Sequence, residues 1–114
     1  MKESAVVKAL TALSQVNRLR VFRRLVIAGP AGSTPTTIAK QTKLQPATLS
    51  FHLKELMNAG LVTQERSGRN LIYRAHYART DELLAYLSEN CCQGEPAPQV
   101  AGACGTTTLK EIKP

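Results

Sequence analysis

The sequence predicts a mainly α-helical domain with one β-hairpin, arranged as a winged helix-turn-helix. Two segments with helical apolar spacing, 34–43 and 45–61, are joined by a tight turn at Leu44-Gln45-Pro46. Two β-prone runs on either side of Ser67-Gly68 follow them directly and predict a hairpin in the position of a wing. The chain has 114 residues, which is enough for one small domain with a modest core.

Two helices are predicted before the helix-turn-helix. In the first, Val6, Val7, Leu10 and Leu13 recur at helical spacing. The second is expected to begin near Asn17, a favoured N-cap residue type, and to end at the Gly-Pro-Ala-Gly stretch 29–32. Its predicted buried stripe is apolar, while arginines occupy its other faces. The stripe consists of Leu19, Phe22, Leu25 and Val26.

The helix-turn-helix is delimited by recognisable helix-start and helix-stop signals. Thr34 as N-cap and Pro35 at the first helical position open its first helix, which ends near Lys43 and turns Ile38 and Ala39 inward. The second helix, 45–61, has Gly60 as its expected C-terminal cap. Its inner face is apolar and consists of Leu49, Leu53, Leu56 and Met57.

The outer face of helix 45–61 combines small, hydroxylic, aromatic and basic side chains. It carries Ala47, Ser50, Phe51, Lys54 and Asn58. This combination suits a helix in the DNA major groove, although an ordinary amphipathic helix with one stray Phe would show it too. The predicted base contacts are Ala47, Thr48, Ser50 and Phe51, and the predicted phosphate contacts are Lys54, Arg66 and Arg69. His52, at the border of the two faces, is expected to pack or to contact phosphate.

The hairpin and the last helix complete the predicted domain. Arg66 and Arg69 lie beside the hairpin turn, where a wing can reach phosphates or the minor groove. Asp81 and Glu82 are expected in the first turn of the last helix, where the helix dipole favours acids. That helix also carries three leucines, more than one small domain can cover. We therefore expect it to pair with the first helix across the two-fold axis of a homodimer.

The charge balance favours nucleic acid as the partner. The chain has 15 Lys and Arg against 8 Asp and Glu, a net charge of +7. No apolar run approaches the ~20 residues that span a bilayer, and the N-terminus carries no signal sequence, so a cytoplasmic protein without a membrane partner is expected. The predicted domains are a DNA-binding and dimerisation domain, 1–90, and a flexible cysteine-bearing tail, 91–114.

Three cysteines mark the end of the chain. Cys91 and Cys92 are adjacent, and Cys104 follows in a Gly- and Pro-containing segment long enough to fold back. Three thiolates make a poor tetrahedral zinc site but suit a soft three-coordinate centre such as As(III) or Sb(III). A thiol-oxidation switch is the main alternative, and incidental cysteines are a further one.

Over about residues 5 to 90 the chain resembles the ArsR/SmtB family of winged-helix repressors. The resemblance rests mainly on the sequence LSFHLKELMNAGLV at residues 49–62. Residues 12–20 and 69–73 support it. It implies a homodimer that binds an inverted-repeat operator in double-stranded DNA, represses a resistance operon, and releases the DNA when a metal or metalloid binds.

The family's metal sites vary, so the resemblance implies a site only where residues match. Its cysteine box on the first helix of the helix-turn-helix has no cysteine here, at 35–39, and its Asp/His zinc site on the last helix retains only Asp81. The pattern that remains is similar to arsenic sensors with a cysteine pair after the last helix and one cysteine downstream. It implies Cys91, Cys92 and Cys104 as ligands of an As(III) inducer, with Sb(III) as the alternative and no organic cofactor.

Three other functions remain open on the sequence. A winged-helix repressor that senses thiol oxidation or another metal would keep the same fold. An enzyme such as a thiol reductase lacks support, since the chain has no Cys-x-x-Cys motif and no phosphate-binding loop. An interaction adaptor that does not bind DNA would leave the basic wing unexplained.

Overall fold

The computed structural model describes residues 1–91, so Cys92, Cys104 and the rest of the predicted tail lie outside the described residues. The chain divides into two units, 1–83 and 84–114. Within the described residues the helices are α1 (Glu3–Leu13), α2 (Val16–Ala28), α3 (Pro35–Thr42), α4 (Pro46–Asn58) and α5 (Tyr77–Ser88), with one 3-10 turn at Gly29–Ala31. The strands are β1 (Val62–Ser67) and β2 (Asn70–Ala75). None of the described helices is long and apolar enough to cross a membrane.

The helix-turn-helix is formed by α3 and α4 and follows the predicted signals closely. Thr34 caps α3, since its Oγ1 accepts a hydrogen bond from the backbone N–H of Thr37 at 3.3 Å. α4 ends at Asn58, three residues before the predicted limit, and Gly60 with a φ of 79° reverses the chain. The N–H groups of Gly60 and Leu61 donate to the carbonyls of Met57 and Leu56, both at 3.0 Å, which forms the Schellman cap.

The core is centred on the inner face of α4. Leu49, Leu53 and Leu56 are buried as predicted, together with Ile38 of α3 and Leu25 of α2. Met57, which was also predicted to be on this face, is only half-buried. Burial of these branched side chains supplies the main driving force for the fold and holds α4 against α2 and α3.

The predicted N-cap of α2 was wrong, and its predicted buried stripe was partly wrong. α2 begins at Val16, near Asn17 as expected, but Gln15 is the cap, because its Oε1 accepts from the N–H of Arg18 at 2.8 Å. Phe22 and Leu25 are buried, but Leu19 and Val26 are 41% and 36% exposed. Val21 occupies the third core position instead, so the inward face is rotated from the predicted one.

The first helix forms as predicted, and its apolar residues are divided between a buried and an exposed face. Val6 is buried, whereas Val7 and Leu10 are exposed and Leu13 is half-buried. Ala9 and Ala12 complete the inward stripe. Small side chains at these positions let α1 approach its neighbours α2 and α4 closely, which apolar spacing alone does not reveal.

The wing is an antiparallel hairpin that is fastened to the loop after α2. Its register runs from Val62 opposite Ala75 to Ser67 opposite Asn70. Ser33 adds a bridge to Tyr73, with backbone hydrogen bonds of 2.9 and 2.8 Å. These contacts restrict the base of the hairpin to one position relative to α2.

α5 begins earlier than predicted. It starts at Tyr77, and the Nδ1 of His76 accepts from the backbone N–H of Arg79 at 3.1 Å, which caps the helix. Asp81 and Glu82 therefore lie beyond the first turn of α5, contrary to the prediction. The N-terminus of α5 is capped by the imidazole of His76 instead of being stabilised by acidic side chains.

A part-buried polar contact joins α1, α2 and α4. The Nη1 of Arg18 donates to the carbonyl of Ala12, and its Nε donates to the Nδ1 of His52, both at 3.3 Å. Burial lowers the pKa of His52 from the usual 6.5, and the neighbouring Arg18 charge lowers it further. At neutral pH His52 is therefore uncharged, and its Nδ1 accepts the hydrogen bond from Arg18.

Gly32 allows the close approach between the loop and β2. It has a φ of 74°, and a Cβ there would lie 2.7 Å from Ile72 Cγ2 and from the carbonyl oxygen of Tyr73. Gly32→Ala should lower the free energy of unfolding by about 1–3 kcal/mol for the backbone strain and by a further ~1–3 kcal/mol for overpacking. Urea denaturation measures both losses together.

Gly29→Ala is the matched control for this substitution. Gly29 has nearly the same φ, 79°, but a Cβ at this position would meet no atom within 4 Å. It should therefore lose only the backbone contribution. Equal losses for the two variants would show that the contact with β2 is unimportant.

The neutral state of His52 makes stability dependent on pH. Because the pKa of His52 is lowered in the folded chain, the unfolded chain binds a proton more readily as the pH falls below about 6.5. Stability should therefore decrease on acidification through this range. The His52→Gln variant retains an acceptor for Arg18 but cannot titrate, so its urea midpoint should change less between pH 7.5 and 5.5. The same change in both proteins would contradict the assignment.

Candidate nucleic-acid interface

The predicted DNA-facing residues of α4 share one exposed surface. Ala47, Thr48, Ser50, Phe51 and Lys54 are all exposed, on the side of α4 away from its buried leucines. Phe51, a large aromatic, is 53% exposed. A surface with two hydroxyls, an aromatic ring and an ammonium group can offer hydrogen bonds to base edges, an apolar contact to a thymine methyl, and a phosphate contact.

The exposed surface of α4 is held in place by its buried face. Leu49, Leu53 and Leu56 are spaced four and three residues apart, so burying them fixes the rotation of the helix about its axis. Residues between them, at 50, 51 and 54, must then point outward. Core packing therefore fixes the direction in which the predicted DNA-contacting residues of α4 point.

Arg18, a half-buried residue of α2, contacts this surface. Its guanidinium carbon lies 5.5 Å from the centroid of the Phe51 ring, a cation–π arrangement, while its Nε bonds His52. The Phe51 and His52 rings are themselves 5.7 Å apart. In the sequence Arg18 looks like any other surface arginine of α2, and nothing in its spacing indicates this contact with α4.

His52 is placed in the core. Its side chain is 5% exposed and makes the contact with Arg18. Of the two roles expected for it, packing fits this environment and phosphate contact does not, because a buried neutral ring offers neither charge nor access.

The tip of the wing carries the two predicted cations. Arg66 and Arg69 flank Gly68 and are exposed. Arg74, on the return strand, is engaged differently: its Nε donates to the carbonyl of Pro30 at 2.7 Å, and its Nη1 pairs with Glu65 at 2.6 Å. Arg66 and Arg69 are therefore available to a ligand, whereas Arg74 fastens the hairpin.

The predicted metalloid site lies largely outside the described residues. Cys91 is half-buried and takes part in a disulfide bond. Cys92 and Cys104 are not among the residues that the structure describes. Within residues 1–91, no group of three or more His, Cys, Asp or Glu side chains is arranged to hold a metal ion.

Comparisons with known proteins agree on the fold. A helix-turn-helix domain model matches residues 13–65. An ArsR-like transcriptional regulator from Rhodococcus sp. RHA1 is 25% identical, with a TM-score of 0.67 over 75% of this chain and 77% of the other. The transcriptional repressor BigR from Xylella fastidiosa is 26% identical, with a TM-score of 0.60 over 78% and 88%.

A third solved structure shares the fold at lower identity. It is the homodimeric winged helix-turn-helix DNA-binding domain of a possible ArsR-family regulator from Mycobacterium bovis, 24% identical, with a TM-score of 0.60 over 82% of this chain and 87% of the other. No curated protein matched the sequence.

These findings agree with the geometry of the site. The order of helices, the hairpin after α4, the domain match and the similar regulators all point to one group of DNA-binding proteins. Over residues 13–65 the chain carries a helix-turn-helix domain, and it is similar in fold and sequence to ArsR-like winged-helix transcriptional regulators.

Proposed function

We propose that this regulator is a repressor that binds an inverted-repeat operator as a homodimer and is released by As(III), or by Sb(III), through Cys91, Cys92 and Cys104. The observation that carries the DNA-binding part is the exposed outer face of α4, whose predicted base-contacting residues are all accessible. Two such helices in a two-fold dimer would read half-sites about 34 Å apart.

Exposed apolar residues support the dimer. Val7 and Leu10 of α1 and Leu84 and Leu87 of α5 are all more than 40% exposed. Large apolar side chains exposed on two helices are typical of surfaces that a partner covers. The Mycobacterium bovis domain is described as homodimeric, which supports the same arrangement here.

The position of Cys91 supports the coupling between inducer and DNA. Cys91 lies three residues after the end of α5, one of the two helices expected at the dimer interface. Closing three thiolates on one metalloid would tie residues 91–104 together beside that helix. As(III) would then bind more tightly to a dimer arrangement in which the two α4 helices fit DNA poorly. DNA affinity would fall by the same factor by which As(III) prefers that arrangement over the DNA-binding one.

The disulfide at Cys91 favours a second candidate function, in which thiol oxidation releases the DNA. A sulfur in a disulfide cannot act as a thiolate ligand, so metalloid binding requires the reduced protein. The two functions share the fold and differ in the signal.

Fluorescence anisotropy on labelled DNA from upstream of the chain's own gene distinguishes them. The protein is reduced with a phosphine, since dithiols bind arsenite themselves, and the phosphine is removed by anaerobic gel filtration before the titrations because it would consume the peroxide. Release by arsenite supports the proposal, release by peroxide alone supports the redox function, and release by zinc alone identifies another metal. Absence of DNA binding before any addition would contradict the repressor assignment.

Arg69 at the wing tip should contribute one phosphate contact. Arg69→Ala should weaken DNA binding and reduce the slope of log K against log salt by about 1. Arg20→Ala is the matched control, because Arg20 is an exposed arginine on α2 outside the predicted contacts. Equal slopes for wild type and Arg69→Ala would remove Arg69 from the interface.

The cysteines should be equivalent in a three-thiolate site. Replacing any one of Cys91, Cys92 and Cys104 by Ser should weaken release by arsenite and leave operator affinity unchanged, because each variant lacks one of three ligands. The measurement is an arsenite titration of each reduced protein–DNA complex. Normal release in all three variants would place the site elsewhere. A two-cysteine redox switch would instead leave one Ser variant fully responsive to peroxide.

A further inference from the structure

A groove beside α2 is not used by the interface described above. It has a volume of about 610 Å³ and lies between one face of α2 and the end of α3. We call it the α2 groove. Its lining is apolar and basic and contains no acidic residue; it includes Val16, Leu19, Ile27, Arg20, Arg24 and Lys43.

The α2 groove exposes large apolar side chains. Val16, Leu19 and Ile27 are 56%, 41% and 64% exposed and extend over three turns of α2. At about 100° per residue they lie on the side of α2 that faces away from Leu25, which packs in the core. These three side chains therefore do not form part of the hydrophobic core.

The same face carries an unbalanced positive charge. Residues 4–54 contain eight Lys and Arg but no Asp or Glu, and Arg20, Arg23, Arg24 and Lys43 of this segment line the groove. Within the described part of the chain, the ion pairs involve other arginines, Arg74 and Arg79. An occupant of the groove must therefore bring negative charge as well as apolar surface.

Three candidate occupants lack one of these properties. If two copies of the groove faced each other, the four cationic side chains of one would repel the same four side chains of the other. Residues 92–114 contain two Glu and two Lys and so bring no net negative charge. DNA phosphates would pair with the cations but leave Val16 and Ile27 uncovered. At about 100° per residue, the groove residues of α2 lie opposite Arg18, which contacts His52 and Phe51 of α4.

We propose that the α2 groove binds an acidic amphipathic helix of a partner protein. Apolar side chains spaced three and four residues apart would cover Val16, Leu19 and Ile27, as in other helix-in-groove complexes. Carboxylates on the flanks of that helix would pair with Arg20, Arg24 and Lys43. Since the groove and the outer face of α4 are separate, a DNA-bound regulator can hold its partner at the same time.

A synthetic peptide tests this proposal on the full-length reduced protein. The probe is a fluorescein-labelled 18-residue helix with Leu at every third or fourth position and Glu elsewhere on its flanks, compared with a scrambled peptide of the same composition. Anisotropy is measured with and without DNA. The amphipathic peptide should bind in both conditions, and the scrambled peptide should bind at least about tenfold more weakly because it lacks the apolar stripe.

Two double variants with equal charge changes locate the binding. Arg20→Glu with Arg24→Glu should weaken peptide binding about tenfold or more and leave DNA binding within about twofold. The double variant Arg66→Glu with Arg69→Glu, on the wing, should weaken DNA binding and leave peptide binding nearly unchanged. Ile27→Ser tests the apolar contribution without touching the core, and it should also weaken peptide binding.

The proposal fails if both double variants weaken peptide binding equally, which would indicate unspecific charge attraction, or if neither does. It also fails if the groove variant loses DNA affinity as the wing variant does, because the groove would then be a phosphate-binding surface. Equal binding of the scrambled peptide would exclude a helical, striped partner.

Discussion

The burial of Leu49, Leu53 and Leu56 is the constraint on which the rest of the structure depends. These three side chains are almost fully covered, and together they fix how α4 is rotated against α2 and α3. The outer face of α4 is therefore preorganised, so little conformational entropy would be lost if that face binds DNA as proposed. The wing is held in the same way, since Arg74 and the Ser33–Tyr73 bridge attach it to the loop after α2.

Elements with local signals were predictable from the sequence. Thr34 and Pro35 mark the start of α3, and Gly60 marks the end of α4, because capping depends on neighbouring residues only. The inward faces of α1 and α2 were not predictable, since both helices have apolar residues on more than one side. Only tertiary packing decides that Val21 rather than Leu19 is buried, or that Ala9 faces the core.

The candidate site shows the same division. The exposure of the outer face of α4 follows from the period of one helix and is confirmed, as is that of the wing residues Arg66 and Arg69, while their contacts with DNA stay a prediction. The contact of Arg18 with His52 and Phe51 joins residues more than 30 positions apart, and no local pattern encodes it. The contact of Arg74 with the Pro30 carbonyl was not predicted either, because the two residues are 44 positions apart in the chain.

Backbone NMR of the isotope-labelled, reduced protein during titration with DNA from upstream of its own gene tests the central claim most directly. The claim is that α4 reads the DNA while the wing tip contacts its backbone. We expect the largest amide shift changes to fall on residues 47–54 and 66–69, with small changes at Arg20, Arg24 and Ile27. Changes concentrated on the α2 groove, with residues 47–54 unperturbed, would contradict the claim.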